Sequence, residues 1–105
     1  MSPSLPRRLF AEALGSALLT GVVIGSGILA VQLSAGNDAV ALIGNTAATA
    51  AILVVLITGL GPVSGAHFNP AVSLVMALRG ALKPGEAAAY GVVQVLGCCA
   101  GAVLA

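Results

Sequence analysis

Residues 61–78 read GPVSGAHFNPAVSLVMAL, from Gly61 to Leu78, and this stretch decides how the chain folds. It lies between strongly apolar runs, yet it holds two prolines, an asparagine and the chain's one histidine, His67. An interruption of that kind at membrane depth is tolerated only where it is buried in protein or lines a water-filled cavity. Each unpaired backbone group in hydrocarbon costs several kcal/mol. The sequence therefore predicts a re-entrant element, non-helical over 61–68, followed by a short helix from Pro70 to about Leu78. Asn69-Pro70 suits a helix start, because asparagine is a favoured N-cap and proline lacks only an N–H that has no intrahelical partner at the first position. The positive end of the short helix then points toward the membrane centre, with the Asn69 amide as a donor and the carbonyls of Ser64 to Phe68 as acceptors. Donors and acceptors so placed orient a neutral, hydrogen-bonding molecule, and the positive helix end repels cations.

Working outward, the composition makes the whole chain membranous. Of 105 residues 59% are hydrophobic and 7% charged, which is too apolar for an ordinary soluble domain. The spans are expected at about 9–33 and 39–60, with the re-entrant loop and half-helix at about 61–79 and a third span at about 86–105. The first apolar run is too long for the core of a signal peptide and long enough to cross ~30 Å of hydrocarbon. If the N-terminus is cytoplasmic, Arg7, Arg8, Arg79 and Lys83 all fall on the cytoplasmic side, as the positive-inside rule expects. About ten residues from a midplane Asn69 to Arg79 cover ~15 Å, half the hydrocarbon, so 70–78 is a half-span.

Several classes of function are disfavoured. Four basic residues cannot form an extended phosphate-binding stripe, so nucleic acid is not a partner. Adjacent Cys98 and Cys99 point about 100° apart in a helix and read as packing residues, and neither a metal site nor a cofactor is expected. Glu12, His67 and Cys98 form no nucleophile, base and orienter set, which argues against an enzyme. Gly97 and Gly101 make a G-x-x-x-G pair, a device for close helix approach in lipid or an accident of a glycine-rich chain. Gly21 and Gly25 have the same spacing, and a non-conducting assembly module is the competing reading.

The nonapeptide Ser64-Gly65-Ala66-His67-Phe68-Asn69-Pro70-Ala71-Val72 resembles the first Asn-Pro-Ala signature of the aquaporin, or major intrinsic protein, family. Ala11-Glu12-Ala13-Leu14-Gly15-Ser16 resembles the family's first-helix motif, and Tyr90, Gln94 and Gly97 resemble its third helix. The resemblance implies an all-α integral membrane fold, an aquaporin-like right-handed helical bundle, with residues 1–105 as the first of two inverted repeats. It implies a passive channel for water and small neutral solutes, a homotetramer in the bilayer of a bacterial inner membrane, and a second Asn-Pro-Ala repeat outside these residues. On this analogy the chain is expected to be a fragment of the full channel. Asn69 is then a pore donor, Pro70 and Ala71 set the half-helix contact, and Gly65, Ala66 and His67 offer pore-lining carbonyls. Glu12 braces the loop by accepting backbone hydrogen bonds; its alternative is an interfacial carboxylate near Arg8. For His67 the packed side chain is preferred over a pH gate. Thr49, twenty positions before Asn69, occupies the place where relatives usually carry a bulky aromatic in the outer constriction. There it either widens a filter for glycerol, urea or an uncharged metalloid acid, as in the arsenic-resistance branch, or merely packs.

Overall fold

The computed structural model describes residues 3–105. Among the described residues four helices follow one another: α1 (Leu5–Leu33), α2 (Asp38–Ser64), α3 (Pro70–Leu78) and α4 (Pro84–Leu104). Three of them, α1, α2 and α4, are long and apolar enough to cross a membrane. At 1.5 Å per residue the nine residues of α3 extend only ~14 Å. The chain is all-α, and its longest dimension is 49 Å.

Helix α1 is the central element, packed against α4 on one side and α2 on the other, while α3 rests on α4. The α1–α4 contact is a close backbone approach. A Cβ added at Gly97 would collide with the Ala13 carbonyl, and one at Gly101 with the Ala17 carbonyl, so the pair is a packing device. Gly25 plays no such part, since nothing lies within 4 Å of a Cβ placed there. Between α1 and α2, the Ser26 hydroxyl donates to Asn45 Oδ1 at 2.9 Å. The face of α2 that carries Asn45, with Thr49 one turn further on, is thereby turned partly onto protein.

Polar side chains share the interior with apolar ones and the exterior is largely apolar, unlike a water-soluble bundle. Glu12, Ser16, Ser64, Ser73 and Gln94 are buried, whereas Leu29, Ile43, Val54, Val92 and Leu96 are exposed. That pattern fits a chain whose outer solvent is lipid and whose polar groups must be satisfied within.

The breaks differ from the sequence expectation in one respect that matters. Helix α2 does not stop at Leu60: it runs through Gly61 and Pro62 to Ser64, so residues 61–64 are helical. Proline at that point costs one ladder hydrogen bond, which a membrane helix tolerates when its neighbours re-satisfy the freed groups. The stop comes at Gly65, in the left-handed conformation with φ 88°, whose N–H returns to the Gly61 carbonyl at 2.8 Å. The non-helical loop is therefore residues 65–69. Helices α1 and α4 also begin a few residues early, each with a proline in its first turn, which places Arg7 and Arg8 within α1. At that end Arg8 forms an ion pair with Glu86 and lies 5.9 Å from the Tyr90 ring centre.

Candidate functional site

The site is assembled around the Glu12 carboxylate, fully buried about two turns into α1. Its Oε1 accepts from the Phe68 N–H at 2.8 Å and from Gln94 Nε2 at 2.6 Å. Its Oε2 accepts from the Ser64 hydroxyl at 2.5 Å and from the His67 N–H at 3.2 Å. Four donors from α2, the loop and α4 thus converge on one carboxylate, an arrangement that offsets the cost of burying a charge. The alternative placing of Glu12 beside Arg8 does not hold, because Arg8 is taken by Glu86.

The loop is held in an unusual shape. Ala66 and Phe68 adopt φ values of 54° and 51°, in a left-handed region that non-glycine residues visit at a cost. Phe68 is buried, and its ring fills the space that a Cβ on Gly15 would need. With Phe68 anchored below and both flanking N–H groups on Glu12, the acceptor side of the loop is left free. Among the described residues no donor reaches the carbonyls of Gly65, Ala66 or His67. The Ser64 carbonyl departs from the expectation, for it accepts the Tyr90 hydroxyl at 2.9 Å and is not a free acceptor.

Asn69 caps α3. Its Oδ1 accepts from the Ala71 N–H at 2.8 Å, its side chain is exposed, and among the described residues its Nδ2 has no partner. Pro70 occupies the first helical position, and the unpaired N–H groups of the first turn give that end a partial positive charge. His67 packs beneath: Nδ1 is 3.0 Å from the Ser73 hydroxyl oxygen, and its ring lies 5.2 Å from that of Tyr90. Donors at one end and unpaired carbonyls beside it can hold a small neutral molecule with both hydrogen-bonding senses.

The matches with known proteins bear on the same stretch. The family model for the major intrinsic protein covers residues 1–105. The aquaglyceroporin AqpS of Rhizobium meliloti (strain 1021) is 61% identical over 101 residues, which are 96% of this chain and 43% of that protein. The chain belongs to the major intrinsic protein family. More distant aquaporins agree: aquaporin NIP1-2 of Arabidopsis thaliana is 38% identical over 92% of this chain and 33% of its own length. The lens fiber major intrinsic protein of Gallus gallus is 36% identical over 96% and 37%. The chain spans less than half the length of these relatives. No solved structure matches it.

Within this aquaporin-family chain the structure gathers Glu12, Gly65, Ala66, His67, Asn69, Pro70 and Ala71 into one site. Thr49 stands apart in α2, fifteen residues or ~22 Å of helix before Ser64. Its hydroxyl donates to the Asn45 carbonyl of its own helix at 2.9 Å. The roles of two side chains in the site were not legible in the sequence. Ser73, one turn into α3 and 1% exposed, is a polar residue in an otherwise apolar half-helix, and that contrast was its only signal. For Phe68 the sequence offered only the carbonyl, and the anchoring role of its ring shows in the notch at Gly15. Among the described residues no three His, Cys, Asp or Glu side chains are grouped to hold a metal.

Proposed function

We propose that these residues form one half of a passive transmembrane channel for water and small neutral solutes, acting without a cofactor or a chemical step. The observation that carries it is the loop: three unpaired carbonyls and the free Asn69 amide beside a positive helix end, all anchored on a buried carboxylate. Glu12 is the brace, Asn69 the pore donor at the midplane, Pro70 and Ala71 the face that meets a second half-helix, and Gly65, Ala66 and His67 the approach. The second half is supplied by the part of the channel that lies outside these residues. The N-terminus is cytoplasmic in a bacterial inner membrane, which puts the Arg8–Glu86 pair and Arg79 at the inner face. Four complete channels form a tetramer.

Thr49 lies near the middle of α2, eleven residues after Asp38 and on the outer side of the loop, where it widens the filter and admits solutes larger than water, such as glycerol or an uncharged metalloid acid. The resemblance to an aquaglyceroporin supports that assignment. Two arms test the reading. Proteoliposomes holding the 105-residue chain alone are expected to swell no faster than empty ones in water or glycerol gradients. In the complete channel, Thr49→Phe is expected to lower glycerol flux more than water flux, and equal loss of both would remove Thr49 from the filter.

A further inference from the structure

The hydrogen bonds behind the loop decide where the imidazole proton lies. The amide nitrogen of Gln94 can only donate, and it does so twice, to Glu12 Oε1 at 2.6 Å and to Ser73 Oγ at 3.0 Å. Ser73 Oγ therefore accepts from Gln94 and keeps one proton of its own to give. That hydroxyl is 1% exposed, so its proton needs an acceptor inside the protein. Among the described residues His67 Nδ1, at 3.0 Å, is the one acceptor in reach; unlike Thr49, Ser73 makes no bond to a carbonyl one turn back. An Nδ1 that accepts carries no proton.

We propose that Ser73 is a positioning residue that fixes the neutral His67 ring as the Nε2–H tautomer. The order of donation runs from Gln94 to Ser73 to His67, with Glu12 fixing the Gln94 end. Exchanging the ring nitrogens with their carbon neighbours would break this chain, since a carbon would then face Ser73. The far nitrogen lies over Gly65, 3.0 Å from where a Cβ would stand, so the missing side chain leaves Nε2–H room. Among the described residues no acceptor is within hydrogen-bonding reach of Nε2, and the half-buried ring leaves it able to donate to a neutral solute oxygen. Only this last consequence rests on the channel reading; the tautomer stands on the hydrogen bonds alone.

The chain has a single histidine, so its imidazole can be read without assignment. The test is a long-range proton–nitrogen correlation spectrum of the full chain, labelled with nitrogen-15 histidine, in lipid nanodiscs at a pH where the ring is neutral. One protonated Nε2 and one unprotonated Nδ1 are expected, without the averaging of a free imidazole. Ser73→Thr is expected to keep that pattern and Ser73→Ala to move both nitrogens toward the averaged positions. A protonated Nδ1 or an averaged ring in the native chain overturns the proposal, as does an unmoved pattern in a folded Ser73→Ala. A chain that proves unable to support flux leaves this spectrum as it is, so the two readings fail separately.

Discussion

Asn69 does two jobs with two atoms, and one substitution separates them. Its Oδ1 caps α3 through the Ala71 N–H, while its Nδ2 is the donor assigned to the pore. Asn69→Asp keeps the capping oxygen and loses the donor, so the chain is expected to retain its helical circular dichroism while the complete channel loses most of its solute flux. Glu12 acts on stability instead. Glu12→Ala removes the acceptor of four donors, two of which, the His67 and Phe68 N–H groups, have no other partner, and by the usual penalty for unmade hydrogen bonds this costs about 3 kcal/mol or more. Denaturant unfolding in detergent should show that loss. Glu12→Gln, which keeps one acceptor oxygen, should cost less; an equal cost for both would mean that the loop does not depend on the carboxylate's paired acceptors. The sequence made Glu12 conspicuous because a carboxylate in an apolar run demands partners, but it could not say which. Those partners lie 52 to 82 residues away in the chain.

At the scale of elements, the existence of three spans and a half-helix could be read from apolar run lengths and from Asn69-Pro70. The end of α2 could not. Gly61-Pro62 carries the signature of a break, yet the helix passes through it and yields only at Gly65, where a glycine can take the left-handed turn. Local propensity was outweighed by tertiary bonds, for Ser64 is drawn into the helix end by Glu12 and Tyr90. The glycine spacings were equally ambiguous in the sequence, and the backbone separates them. Gly97→Leu should force α1 and α4 apart at a cost of about 2 kcal/mol or more, as overpacking does. Gly25→Ala should stay within about 1 kcal/mol of the native chain, because it meets open space and improves helix propensity. Melting temperatures of the two variants in one detergent check the contrast, and similar losses would contradict it.

For the whole molecule, orientation and half-pore identity follow from one another. If, as proposed, the N-terminus is cytoplasmic, α3 would enter from the inner face and its positive end would stop at the midplane to meet a partner half-helix from outside. A cysteine introduced at Asp38, in a chain whose Cys98 and Cys99 are changed to alanine, should then react with an impermeant maleimide from the outside of intact cells, and one at Arg79 should not. The most direct measurement is made in a chimera. The matched residues of this chain replace those of the Rhizobium aquaglyceroporin, to which they are 61% identical, and glycerol-driven swelling is followed by stopped flow. The chimera is expected to conduct like its parent, and its Asn69→Asp version, equally abundant and folded, to approach empty vesicles. A folded chimera that does not conduct, or one whose flux ignores the Asn69 change, would contradict the half-pore reading.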